Sequence, residues 1–252
     1  MKREVGLFGD SWGGGEWALP DTQNILSTNI VNITHKGIEQ YFKDIGHTVF
    51  NFSKAAGSNL DSIDKLKKFL NARQNNPIVL FIVTDPLRNY QPDYTDFKQR
   101  IVDSNGLFEL KQQTLVSNLH TLNEIGKTYN QTIYLIGGLG TVPDVSGYSN
   151  LYCVCRSWPE FMLKEQYQHV DFENFGLWEG WLFDGELINT WFCPKNLQQF
   201  DPVFADKLVQ QLEQLNNNQD VFEHPLFYPD KAHPNREAHL ILFNYIRKTL
   251  EI

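Results

Sequence analysis

Apolar residues form segments whose patterns are typical of β-strands. The segments at 4–9 and 47–52 are short and partly alternating, whereas those at 77–84 and 132–136 are continuous runs rich in β-branched residues. Continuous apolar runs of this length are typical of strands that are buried on both faces of a sheet. A further run of this kind, at 151–155, is a candidate for a fifth strand.

Between these strands, the apolar residues recur at helical spacing. The predicted helices span 34–45, 60–72, 107–129 and 235–250. Strands that alternate with helices predict a mostly parallel sheet with helices on both faces. We therefore expect an α/β fold, a three-layer α/β/α sandwich of the flavodoxin-like kind with a mostly parallel five-stranded sheet.

The segment at 141–229 interrupts this alternation. It holds four of the chain's six tryptophans, together with many acidic residues and a helix-like pattern at 202–215. We interpret it as a fifth-strand region enlarged by an aromatic-rich insertion or lid, within a single domain that spans 1–252. A lid often supplies the wall of a substrate site. The alternative is that its tryptophans form only the small core of the lid.

The composition is acidic. Among 252 residues, 30 are Asp or Glu and 22 are Lys or Arg, which gives a formal net charge of −8. This excess of negative charge argues against binding to a nucleic-acid backbone or to an anionic membrane. Three cysteines do not make a disulfide framework, and no second pair of ligands accompanies them for a metal. We expect no metal and no organic cofactor.

No apolar stretch approaches the length of a signal-peptide core or of a membrane span. We therefore expect a soluble protein that is cytoplasmic by default. A location in a virus particle or export by another route is left open, and the sequence does not give the oligomeric state.

A strand followed by a tight turn gives the first candidate for chemistry. The predicted strand at 4–9 ends in Gly9-Asp10-Ser11-Trp12-Gly13. In open parallel sheets, ligands bind beyond the carboxyl ends of the strands. Ser11 therefore lies where its hydroxyl could be presented to a substrate. The alternative is that Ser11 only caps or forms the turn.

The second candidate lies near the other end of the chain, at Asp230-Lys231-Ala232-His233. A serine hydroxyl is a poor nucleophile at neutral pH and needs an imidazole to take its proton. The imidazole works better when a carboxylate fixes its tautomer and stabilises its cation. His233 and Asp230 can supply both groups from one turn. The alternative is a turn capped by Asp230 beside an ordinary surface histidine.

Together, these two segments resemble the GDSL, or Ser-Gly-Asn-His, hydrolase family. That family carries a Gly-Asp-Ser turn after its first strand and an Asp-x-x-His pair near its C-terminus, often followed by Pro-Asn and by Gly- or Ala-His on the last helix. Here the matching residues are Gly9-Asp10-Ser11, then Asp230 to Asn235, then Ala238-His239. The resemblance implies catalysis by Ser11, His233 and Asp230. It covers both ends of the chain but not the aromatic-rich insertion.

The resemblance also implies an oxyanion hole. The family uses the backbone N–H of the nucleophile, here Ser11, and that of a glycine in a second block, matched by Gly57. A third block normally supplies an asparagine, but this chain reads Val83-Thr84-Asp85-Pro86-Leu87-Arg88. Thr84 or Arg88 is a candidate for the missing donor, and so is Asn59 if its side chain turns inward. The alternatives are a turn at Gly57, a helix cap at Asn59 and a surface ion pair at Arg88.

We therefore expect a serine esterase that forms an acyl-enzyme. By resemblance, the substrate class is a small-molecule or glycan ester, with a small acyl group on a carbohydrate preferred. The candidate substrate-binding residues are Trp12, Trp178 and Trp181. Two rivals stay open: an O-acyltransferase with the same triad, and a catalytically impaired glycan-binding module.

Overall fold

The fold is seen in a computed structural model, which describes residues 2–17, 33–55, 57–73, 75–90, 104–138, 140–158, 161 and 233–252. Among the helices in those ranges, none combines the length and the apolar character needed to cross a membrane.

The centre of the fold is a sheet of five parallel strands. In chain order, the strands are β1 (Glu4–Phe8), β2 (Glu16–Trp17), β3 (Ile33–His35), β4 (Thr48–Asn51), β5 (Ile78–Val83), β6 (Ile133–Gly137) and β7 (Leu151–Cys155). The sheet has the order β4-β1-β5-β6-β7, and all of its neighbouring strands are parallel. Strands β2 and β3 form a separate antiparallel pair.

Helices cover both faces of the sheet. In chain order, they are α1 (Ser11–Gly14), α2 (Ile38–Asp44), α3 (Asn59–Asn71), α4 (Ser104–Thr128) and α5 (Arg236–Leu250), with a 3₁₀ turn at Pro86–Tyr90. Helices α2 and α5 share one apolar core with the sheet, and α3 and α4 share the other. The predicted three-layer α/β/α sandwich with a five-stranded parallel sheet is therefore confirmed.

Strand β5 explains why the sheet is buried on both faces. All six of its residues are buried. Ile78, Leu80 and Ile82 point into the core under α2 and α5. The intervening Val79, Phe81 and Val83 point into the core under α3 and α4. A continuous apolar run thus serves two cores, as the alternation of side chains along a strand requires.

The predicted helix at 34–45 is wrong at its beginning. Helix α2 begins at Ile38, whereas Thr34 and His35 belong to β3. Two physical reasons account for this. Gly37 has a φ of 53°, which an α-helix does not tolerate. The Thr34 hydroxyl donates to Oε1 of Glu16 on β2 at 2.7 Å, which holds this segment in the antiparallel pair.

The other strand and helix predictions agree with the structure within a few residues, including the candidate strand β7. The helix-like pattern at 202–215 lies outside the described residues, as does most of the predicted insertion. The single-domain interpretation therefore stays a prediction.

A buried histidine joins α5 to the loop before α2. The His239 side chain is fully buried, and its ring lies 4.8 Å from the Trp158 ring in an edge-on arrangement. Gly37 packs so closely that a Cβ there would lie 2.5 Å from Nδ1 of His239. Burial is the main cause that lowers the pKa of His239 from 6.5 to about 3. The imidazole is therefore neutral in the folded protein at physiological pH.

This burial predicts a loss of stability in acid. The pKa of His239 is 6.5 in the unfolded chain and about 3 in the folded protein. As the pH falls below 6.5, the unfolded state binds a proton that the folded state does not bind. The free energy of unfolding therefore decreases from pH 6.5 down to about pH 3. Relative to His239→Gln, the wild-type free energy of unfolding should fall by on the order of 3 kcal/mol more between about pH 6.5 and pH 4. Urea denaturation at several pH values measures both curves. Parallel curves would contradict the prediction.

Candidate active site

Ser11 lies at the carboxyl end of β1, where a parallel sheet presents its ligands. It is the first residue of α1, the single turn that follows the strand. The turn is tight because Gly9 backs onto β5, where a Cβ would lie 2.8 Å from Cβ of Ile82. Only a glycine fits this approach without a shift of β5. Ser11 is thereby held at the edge of the sheet, with 8% of its surface exposed.

His233 meets Ser11 from the far end of the sequence. Its Nε2 atom lies 2.9 Å from the Ser11 Oγ atom, although the two residues are 222 positions apart. This distance lies within the range in which an unprotonated imidazole nitrogen accepts a proton from a serine hydroxyl. His233 directly precedes the segment that starts α5, whose N-cap is Asn235. The structure therefore brings these two predicted residues into contact, and their catalytic roles stay predictions.

The third predicted member of the triad, Asp230, lies outside the described residues. Its role as the partner that orients His233 stays a prediction.

Asp10, in the same turn, is fully buried, and its carboxylate accepts three hydrogen bonds. Its Oδ1 atom accepts the backbone N–H of Trp12 at 3.0 Å, which caps α1. Its Oδ2 atom accepts the Thr84 hydroxyl at 2.6 Å and Nη1 of Arg88 at 3.1 Å. A buried carboxylate is costly unless it is paired and hydrogen-bonded. Asp10 therefore ties the turn after β1 to the chain that leaves β5.

This network engages two of the candidates for the third oxyanion donor, Thr84 and Arg88, in different ways. The Thr84 hydroxyl donates its proton to Asp10, so it has no proton for a second acceptor. Arg88 has five N–H donors, and the bond to Asp10 uses the Nη1 group alone. Its side chain is 10% exposed. Among these two residues, Arg88 retains donor capacity.

Asn59 turns inward, as one of the predictions required, but it binds backbone. Its Nδ2 atom donates to the Thr84 carbonyl at 2.9 Å, and its Oδ1 atom accepts the Thr84 N–H at 3.0 Å. These paired bonds fix the end of β5 against the start of α3. Asn59 is therefore a supporting residue, whose carbonyl oxygen and one N–H bind the Thr84 backbone.

Gly57 lies between β4 and α3, as predicted, and is buried. Its N–H donates to the Lys54 carbonyl at 2.8 Å and closes a turn. To bind an oxyanion, this N–H would have to give up its hydrogen bond to the Lys54 carbonyl or divide it between two acceptors.

The prediction that Trp12 binds substrate is wrong for this structure. Its side chain is 1% exposed and packs edge-on against Trp158, at 5.3 Å between ring centroids. The indole belongs to the apolar core between the sheet and α5, so it has no face to offer a ligand. Trp178 and Trp181 lie outside the described residues, and their roles stay predictions.

A cluster beside the site was not predicted from the sequence. The Glu16 carboxylate binds Thr34 and both the backbone and the guanidinium of Arg236. No local sequence pattern predicts this cluster, because Glu16 and Arg236 are 220 positions apart. The sequence shows only that each residue lies a few positions after one of the two motifs that carry Ser11 and His233.

Comparisons with known proteins give remote likenesses. No family model and no curated protein matches the sequence. Among solved structures, TesA is 13% identical, with 99% of this chain and 98% of that chain covered at a TM-score of 0.43. A member of the lipolytic G-D-S-L family from Veillonella parvula is 13% identical, with 98% of each chain covered at a TM-score of 0.40.

The acetyl xylan esterase Axe2 from Geobacillus stearothermophilus is 11% identical, with 98% of this chain and 93% of that chain covered at a TM-score of 0.41. At such identities and TM-scores, these likenesses carry no inference about activity. The chemistry of this chain is therefore inferred from its own residues.

The buried ion pair of Asp10 predicts a large loss of stability on neutralisation. Asp10→Asn removes the charge that pairs with Arg88 and puts an amide where two donors converge, so unfolding should cost about 3 kcal/mol less. Asp64→Asn is the control, because Asp64 forms an exposed pair with Lys68 on α3 and should change stability by less than about 0.5 kcal/mol. Urea denaturation compares the two. Equal changes in the free energy of unfolding would mean that the bonds of Asp10 stabilise the fold no more than the exposed pair of Asp64 and Lys68 does.

Proposed function

We propose that the protein is a serine esterase of the GDSL kind, with Ser11 as nucleophile and His233 as general base. The observation that carries the proposal is the 2.9 Å contact between Ser11 Oγ and His233 Nε2. A serine is activated for nucleophilic attack when a neighbouring base can take its proton. Ser11 also lies at the carboxyl edge of the sheet, where substrates of open α/β folds bind.

The proposed reaction has two halves. Ser11 Oγ attacks the ester carbonyl carbon as its proton passes to Nε2 of His233, and the resulting tetrahedral intermediate collapses with return of that proton to the leaving alcohol. The acyl group is then bound to Ser11. His233 next takes a proton from water, which attacks the acyl-enzyme, and the acid leaves as Ser11 regains its proton. Asp230 is proposed to hold the imidazole in the required tautomer.

The intermediate carries a negative oxygen, which needs hydrogen-bond donors in place before the reaction. We assign this role to the Ser11 N–H and to the Arg88 guanidinium. Support for Arg88 comes from the donors that it retains beside its bond to Asp10. The Thr84 hydroxyl and the Gly57 N–H each donate their one proton elsewhere, and the Asn59 amide is 1% exposed and bound to the Thr84 backbone. A fixed cation stabilises a developing negative charge more strongly than a neutral amide does.

The proposed substrate is a small acyl group on a carbohydrate. Its support is the sequence resemblance and the aromatic and acidic residues of the segment at 141–229, including Trp178 and Trp181. Trp12 does not support this substrate, because its side chain is buried.

Replacing the nucleophile should abolish turnover. Ser11→Ala and His233→Ala should each lower kcat for p-nitrophenyl acetate by at least about 10⁴-fold, because nucleophile and base act as a unit. Ser117→Ala is the matched control, since Ser117 is exposed on α4, and it should keep wild-type turnover. A folded wild-type protein without turnover would favour the glycan-binding module. Acyl transfer to an added sugar in preference to water would favour the transferase.

The oxyanion assignment predicts unequal effects for the two partners of Asp10 Oδ2. Arg88→Met removes an ion pair and the proposed oxyanion donor, so kcat should fall by about 10²–10³-fold. Thr84→Val removes only the bond to Asp10, and kcat should fall by less than about tenfold, the effect of losing roughly one hydrogen bond. Steady-state kinetics with p-nitrophenyl acetate measures both. Similar losses in the two variants would show that Arg88 acts only through Asp10.

A further inference from the structure

Glu16 joins the segment of the nucleophile to the segment of the base. Its Oε2 atom accepts the backbone N–H of Arg236 at 2.6 Å, and its Oε1 atom lies 3.2 Å from Nη2 of the same residue. Oε1 also accepts the Thr34 hydroxyl at 2.7 Å. Both carboxylate oxygens are thus engaged, and the side chain is 13% exposed.

The positions of these residues give the contact its significance. Glu16 follows Ser11 after the single turn of α1, and Arg236 is the first residue of α5, just beyond His233. The two catalytic segments are therefore joined by the contact between Ser11 and His233 and by the contact between Glu16 and Arg236. Apolar packing holds α5 against the sheet, and the bond from Glu16 fixes the beginning of that helix.

Electrostatics favours a charged carboxylate at this point. Burial raises the pKa of Glu16, but the hydrogen bonds from Thr34 and from the Arg236 N–H, together with the Arg236 charge, outweigh it and leave the pKa below its ordinary value. The first N–H groups of a helix have no intrahelical acceptor, and the helix dipole favours a negative charge there. Glu16 supplies both an acceptor and a charge at the start of α5.

A second support holds the same residue from the other side. The Tyr41 hydroxyl on α2 donates to the Arg236 carbonyl at 3.1 Å. The first residue of α5 is thus bound through its N–H by Glu16 and through its carbonyl by Tyr41. An ordinary surface ion pair would engage only the flexible guanidinium, and such pairs contribute little.

We propose that Glu16 is a positioning residue that holds His233 at proton-transfer distance from Ser11. This inference rests on the proposed function, since it assumes that His233 is the base. Misplacement of a catalytic group by about 1 Å can cost about 10²-fold in rate. Glu16 acts through the backbone of α5 and does not itself touch the reacting atoms.

The test compares substitutions at Glu16 with a matched carboxylate elsewhere. Glu16→Ala should lower kcat for p-nitrophenyl acetate by about 10- to 100-fold, with KM within about twofold because substrate contacts are unchanged. Glu16→Gln should recover part of this loss, because an amide oxygen can still accept the Arg236 N–H. Arg236→Met should have a smaller effect than Glu16→Ala, since the backbone bond survives. Glu124→Ala, which removes an exposed pair with Lys127 on α4, should keep wild-type kcat.

Active-site titration with a fluorophosphonate separates positioning from folding. In Glu16→Ala, the final labelled fraction should equal that of wild type, whereas the labelling rate constant should fall with kcat. Wild-type kcat per labelled site in Glu16→Ala would overturn this inference and leave the proposed function intact. A loss confined to the labelled fraction would also overturn it, because Glu16 would then serve only folding. A wild-type protein that neither labels nor turns over would overturn the proposed function, and this inference with it.

Discussion

The buried carboxylate of Asp10 is the interaction on which the site depends. A full negative charge without contact to water is tolerated only when donors surround it. Here the donors come from its own turn, through the Trp12 N–H, and from the chain that leaves β5, through Thr84 and Arg88. The turn after β1 can therefore take only one position relative to the end of β5. Because Ser11 follows Asp10 directly, its hydroxyl is held in place together with the turn.

The rest of the site is built outward from this fixed point by bonds between segments that are far apart in sequence. Asn59 fixes the backbone of Thr84, and thereby one of the partners of Asp10. Glu16 fixes the start of α5, and thereby the loop that carries His233. The apolar cores on the two faces of the sheet hold α3, which carries Asn59, and α5, which follows His233. Polar contacts thus align the side chains of the candidate site, and apolar packing supplies the rigid frame.

The sequence predicts most of the frame because strands and helices leave local signatures. The run at 77–84 and the periodic segment at 235–250 fold as their patterns indicate. The sequence also predicts that Ser11 pairs with His233, because a serine nucleophile needs a base that its own motif does not supply. The start of α2 is missed because it depends on the positive φ of Gly37 and on pairing with β2.

The roles of individual polar residues are less accessible to prediction. Thr84 and Asn59 are donors by type, but which acceptor they reach is set by a turn and a strand end that meet only in the folded chain. Trp12 follows Ser11 in sequence and is nevertheless buried under α5. A residue type indicates what chemistry is available, whereas long-range packing decides where it is used.

The site of covalent modification shows most directly whether Ser11 is a nucleophile activated by His233. The folded protein is treated with a fluorophosphonate, digested, and analysed by peptide mass spectrometry. We expect a single phosphonylated residue, Ser11, in the wild type and no adduct in His233→Ala under the same conditions. An adduct on a different residue, or an unmodified Ser11 in the folded wild type, would show that Ser11 is not the activated nucleophile.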